Sequence, residues 1–256
     1  MSGNRPQETS VFQRRSRLHQ QWSHSMKVPI AQSILVLFSL SLFGRGLPHE
    51  QGVSATAAPP LNYRVGHFDL KDAILRDGIA ELGSNSIDGL HLGLEEVPRD
   101  KIEQDPRPLS AHFSLHLDGS TVKEILDALC GSDSRYTWSV DGVSINIYPR
   151  STIADPGYLL NLRLEKVALD RVPDPDQALS ALSRRYPNEQ IGYMQAGGDI
   201  SYVEPWTVSF EHLAVRQFVN RLAEHMGSQS SWIWQGGRDE RMFTFQKGGF
   251  QTRPTE

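Results

Sequence analysis

The amino-acid sequence predicts an α/β protein of the α+β type: two similar small β-α-β-β-α-β-β modules with mixed sheets, behind an N-terminal signal or anchor segment. Three observations predict it. Residues 113–149, FSLHLDGSTVKEILDALCGSDSRYTWSVDGVSINIYP, read in order as strand, capped helix and hairpin. The same apolar pattern returns at an offset of 93 residues. Ahead of both lies one short apolar run, 30–43, in a chain whose 38% hydrophobic and 22% charged residues are otherwise those of a globular protein with one large or two small cores.

From the N-terminus, residues 1–25 are polar and basic, and the arginines at 14 and 15 lie too far upstream of the apolar run for a twin-arginine signal. The run itself is shorter than the ~20 residues a membrane helix needs and suits the ~7–15-residue apolar region of a secretory signal. Met26-Lys27 reads as the start of that signal, with 1–25 an extension ahead of it, and Ala55-Thr56-Ala57 matches a cleavage site. The expectation is a periplasmic or secreted bacterial protein; the alternative is inner-membrane anchoring by 30–43. No Cys lies between the run and the cleavage match, which argues against a lipoprotein. Expected limits are 1–57 for the signal, 58–150 for the first module and 158–249 for the second.

In the first module Leu61, Tyr63 and Val65 alternate as a short strand, and a helix is expected from Phe68 onward with Ile74, Leu75, Ile79 and Leu82 on its apolar face. Residues 87–94 read as a short extended piece, and 97–110, with three prolines, as a solvated loop. Phe113, Leu115 and Leu117 then alternate with polar residues, the period of a strand with one buried face. Thr121 and Glu124 form a capping box, and Val122, Ile125, Leu126 and Leu129 make one helical stripe. Asp141-Gly142 is hairpin-turn chemistry between two strands.

The turn-rich segment 150–157 separates the second module, which opens with Leu160, Leu162 and Leu164. Asp174-Pro175 is a helix start, with Asp as cap and Pro at the first helical position. Trp206, Val208 and Phe210 then repeat Phe113, Leu115 and Leu117, and Val215, Phe218, Val219 and Leu222 repeat the helical stripe. Ala214 stands where the first copy has Thr121, so the second cap lacks its hydroxyl. Trp232, Trp234, Phe243 and Phe245 complete a second hairpin. Repetition across strand, helix and hairpin points to duplication of one module.

The side chains that carry chemistry are sparse. A single Cys excludes a disulfide framework, and Cys130, at a helix end, reads as a packed thiol. Six of the Lys and Arg residues, against two acids, fall in 1–57, leaving an acidic body without the basic footprint of a nucleic-acid binder. His112 and His116 share a strand face with Ser114 and Asp118, yet lie ~13 Å apart by strand geometry, too far to share one ion; they read as solvent-facing. Glu95-Glu96 diverge if extended and find no carboxylate partner. Gly197-Gly198-Asp199 and Gly236-Gly237-Arg238 lack the helix a phosphate cradle requires and read as turns. Trp206, Trp232 and Trp234 read mainly as packing residues, one of the latter two left partly exposed. No catalytic, cofactor or metal residue is assigned, and no cofactor is expected.

Taken together, the start at Phe68-Asp69-Leu70 with Ala73-Ile74 on the first helix, the 113–117 strand, the capped 121–129 helix and the 136–148 hairpin resemble the secretin and TonB-receptor short N-terminal domain. The likeness covers about 65–150 well and 160–247 loosely. It implies a small periplasmic α/β fold serving protein–protein recognition: docking ring components or substrates, or passing a signal to a regulator. Only a polar tail follows the second module, so the fold and the interaction role are expected to carry over, and the transport role is not. The expected function is therefore a non-catalytic envelope interaction module that meets another envelope protein through a sheet edge or an exposed aromatic hairpin, touching the membrane only through an uncleaved anchor and no nucleic acid at all. The alternative is a cell-envelope hydrolase with catalytic residues in loops such as 95–110 or 183–205.

Overall fold

The computed structural model describes residues 58–97, 111–187, 191–195, 202, 204–236 and 241–247. The expected signal with its cleavage site, most of the loop 97–110, and Gly197-Gly198-Asp199 lie outside these residues, as does Gly237-Arg238. No helix among the described residues is long and apolar enough to cross a membrane.

Mixed α/β content is what folds. The order is β1 (Arg64–Ala73), α1 (Leu75–Ser84), β2 (His91–Glu95), β3 (Phe113–Thr121), α2 (Val122–Ser132), β4 (Tyr136–Asp141) and β5 (Ser144–Pro149). It continues as β6 (Arg163–Val172), α3 (Pro175–Arg185), β7 (Gly192–Gln195), β8 (Trp206–Ala214), α4 (Val215–His225), β9 (Ser230–Gly236) and β10 (Arg241–Lys247). Helix starts follow local chemistry. The Thr121 hydroxyl accepts from Glu124 N at 3.2 Å while the Glu124 carboxylate accepts from Thr121 N at 2.8 Å. Asp174 accepts from Gln177 N at 2.9 Å, and at Ala214 only the Gln217 half of the box remains, at 3.0 Å.

Two readings of local structure change. Phe68 and Leu70 belong to β1, not to the first helix, which starts at Leu75 with Ile74 N bonded to the Asp77 carboxylate at 3.1 Å. A bulge between Leu70 and Ala73, with Asp72 at φ +50°, shifts the inward set by one position and hides the two-residue period. In the second half Leu159–Asn161 is a 3₁₀ turn, so the strand begins at Arg163 and not at Leu160. The first hairpin loop is Gly142-Val143, with Asp141 already paired to Ser144 and Gly142 at φ +62°, one residue beyond the Asp-Gly reading.

The sheets are joined in a way the local patterns do not announce. Instead of one small mixed sheet per half, the order β4-β5-β2-β9-β10-β7 makes a single six-stranded sheet. Its seam is the parallel pair β2·β9, with Leu94 beside Ile233 and Glu95 beside Trp234. Two antiparallel ribbons, β1·β3 and β6·β8, stand apart from it. Because side chains alternate across a strand, Leu92, Leu94, Ile145, Ile147 and Ile233 face one side and pack with α1, α2 and the first ribbon. Trp232, Trp234, Phe243 and Phe245 face the other side and pack with α3, α4 and the second ribbon. The two cores thus lie on opposite faces of one sheet.

Close approach fixes two glycines. A Cβ on Gly93 would fall within the Trp232 indole, which lies across the seam. A Cβ on Gly78 would meet Leu129, so the glycine that weakens α1 as an isolated helix lets α1 and α2 pack.

Candidate functional site

At the seam a charged pair is buried. Glu95, at the end of β2, is 0% exposed, and both of its oxygens accept from Arg216 in the first turn of α4. Burial raises the Glu95 carboxyl above its ordinary range, against the opposing pull of the Arg216 guanidinium. That guanidinium also lies over the Tyr148 ring at 4.9 Å. Around it Asn220 accepts from Trp232 Nε1 at 2.9 Å and donates to Asp141 at 3.0 Å, while Ser144 donates to Glu224 at 2.9 Å. These bonds tie α4 to β4 and β5 and are structural: each of these groups faces a protein partner. Glu96 turns the other way, to Arg76 at 3.1 Å and Gln235 at 3.2 Å, so the two adjacent carboxylates do not act together.

An open concavity lies elsewhere. Along β6 and α3 a groove of about 420 Å³ is lined by Leu164, Lys166, Ala168, Ala181, Arg184 and Phe218 among others. It continues past the shared Ala168, Ala181 and Arg184 into a second stretch of about 310 Å³ that reaches Val172. Consecutive residues of β6 line both stretches, as the open edge of a strand does. Among the described residues β6 pairs with β8 alone, so its other edge presents unpaired N–H and C=O groups to this groove. Its charged lining is Lys166, Arg184 and Arg185 against Glu165 and Asp170. No histidine or cysteine lines it; of the loops named for the hydrolase alternative, 98–110 lies outside the described residues and 183–205 in part.

A third feature is the outer face of the first ribbon. His67 sits opposite Asp118, and Asp69 opposite His116. His67 Nδ1 is 2.8 Å from Asp118, and His116 is 3.4 Å from Asp69 and 3.3 Å from Asp118. His112 lies 3.3 Å from Asp72. The hydrogen bond to Asp118 raises the His67 imidazole above its ordinary value, and the same bond lowers Asp118. The row of His112 and His116 on one strand is indeed exposed, but the partners that matter come from β1. The signal in the sequence is the twice-used tripeptide His-apolar-Asp, His67-Phe68-Asp69 and His116-Leu117-Asp118, which only antiparallel register brings crosswise.

The remaining candidates are packing residues. Trp232 and Trp234 are 1% and 2% exposed, so neither stays partly open and this hairpin offers no exposed aromatic face. Trp206 stacks on His225 at 4.3 Å with 15° between the planes. Cys130 is buried, and burial pushes its thiol up to about 12, far from a nucleophile's range. Gly236 ends β9 against Trp234. No family model, no curated protein and no solved structure matches the chain.

Proposed function

We propose that the chain is an exported, envelope-associated protein–protein interaction module of the secretin and TonB-receptor short N-terminal kind, built by duplication of one β-α-β-β-α-β-β unit and anchored or released through its 30–43 segment. Its partner is an extended, acidic segment of another envelope protein, which adds as a strand along β6 in the groove beside α3. The observation that carries this is the groove itself: a strand edge without a partner among the described residues, walled by a helix, with three cations against two carboxylates. Main-chain bonds to such an edge supply affinity, and alternate side-chain pockets supply specificity.

Duplication is supported by details that a shared fold class does not require. Both ribbons bulge at one place, between Leu70 and Ala73 and between Leu169 and Val172. Asp72 and Arg171 both adopt φ +50°, and His212, at φ +57°, occupies the left-handed position that Gly119 holds at φ +60° in the first ribbon.

The test is a display selection of extended peptides on the folded protein. Selected sequences are expected to be acidic and to lose at least tenfold in affinity to Ala181→Tyr, which fills the groove, and to Arg184→Glu, which reverses its charge. An exposed control change, Arg150→Glu, leaves them bound. Peptides that bind Ala181→Tyr as well as the parent protein overturn the reading.

A further inference from the structure

We propose that the outer face of the β1·β3 ribbon is a binding site for one divalent transition-metal ion of the zinc class, held by His67, Asp69 and His116, with Asp118 behind His67. The site is independent of the groove, which belongs to the other ribbon.

One ligand atom from each of His67, Asp69 and His116 lies within 4.8 Å of the other two. Ligands of a tetrahedral ion with bonds of about 2.0–2.1 Å sit roughly 3.4 Å apart, so small side-chain rotations close the set without moving the backbone. The backbone supplies the placement. In antiparallel register 67 faces 118 and 69 faces 116, and residues two apart on a strand share a face. The two imidazoles already meet edge to face, with centroids 5.1 Å apart. Asp118 accepts from Nδ1–H of His67, which sets the tautomer with the lone pair on Nε2, the carboxylate–histidine arrangement that orients metal-bound imidazoles. Two imidazoles and a carboxylate are the ligands of zinc sites that keep a fourth position for water.

The second ribbon supplies an internal comparison. Its positions at the same register are Lys166 opposite Glu211 and Ala168 opposite Ser209, and there an ordinary Lys–Glu pair at 3.7 Å fills the face. Exposed ion pairs of that kind contribute little and any charged residues serve. The first ribbon instead repeats the two residue types, His and Asp, that bind a borderline ion. β1 and β3 pair only with each other among the described residues, so an ion bridging them clamps a two-stranded ribbon that gains no third strand there.

The experiment is calorimetric titration of the full chain, without a histidine tag, with Zn²⁺ and separately with Ni²⁺ at neutral pH. The expected result is one ion per chain bound in the micromolar range. His67→Gln and His116→Gln each weaken binding at least tenfold, Asp118→Asn weakens it less, and His212→Asn on the second ribbon leaves it unchanged. All of these positions are exposed, and circular dichroism establishes that each variant is folded. Absence of saturable binding below about 1 mM, or binding that survives both His67→Gln and His116→Gln, overturns the proposal.

Discussion

Removing Arg216 is the sharpest perturbation of the seam. Glu95 is 0% exposed in the parent protein, and Arg216→Ala removes its counter-charge. Breaking a buried pair from one side costs about 3–5 kcal/mol. Arg216 keeps 17% of its side chain exposed, so water reaches this pair and the lower end applies. Loss of the guanidinium from the Tyr148 face adds about 0.5–1 kcal/mol. The sum, about 3.5–4 kcal/mol, corresponds to a fall in Tm of roughly 7–16 °C for a domain of this size. The pH dependence has a definite sign. Burial already raises the folded Glu95 carboxyl above its ordinary value of 4.5, and loss of Arg216 removes the larger of the two groups that oppose that rise, leaving the Tyr158 hydroxyl. A raised carboxyl takes up its proton in the folded state first, so the variant regains stability as pH falls through that value toward 4.5, and its deficit against the parent narrows. Urea denaturation followed by circular dichroism at pH 7.5 and 5.5 measures both effects. Adding Glu95→Gln to the variant restores more than half of the loss. A deficit below 1 kcal/mol, or one that is the same at both pH values, refutes the reasoning.

Two smaller outcomes follow from single side chains. Ala214→Thr completes the second capping box at a residue whose φ −68° and ψ 152° match those of Thr121, and raises stability by about 0.5–1 kcal/mol in the same denaturation assay. Cys130, buried and with its thiol at about 12, stays unmodified by iodoacetamide at pH 8 in the folded protein and reacts once urea unfolds it.

How much of this was legible in the sequence follows from the range of the interactions concerned. Helices α2 and α4 and their caps depend on residues three or four apart, and Val122–Leu129 and Val215–Leu222 show them openly. The start of α1 was misplaced because the bulge at Asp72 breaks the alternation of Phe68, Leu70 and Ala73, leaving a spacing that mimics a helix. The seam was invisible for a different reason. Gly93 reads only as part of a short extended piece until Trp232, which fills the space beside it, is brought over from a strand more than a hundred residues away. Buried Glu95 looks like half of a solvated acidic pair until Arg216 is found facing it. The His–Asp face depends on register, which a single strand does not carry. The groove depends on a strand edge that no residue pattern marks.

Strand addition along β6 is tested most directly by amide hydrogen exchange of 165–171 with and without a saturating peptide from the display selection. In an antiparallel ribbon alternate amides point toward the partner strand and the others away from it, here toward the groove. The account predicts that the peptide slows exchange at alternate β6 amides, those directed into the groove, and leaves their neighbours, already bonded to β8, as they were. Slowing confined to α3, or no slowing in β6 at all, contradicts it.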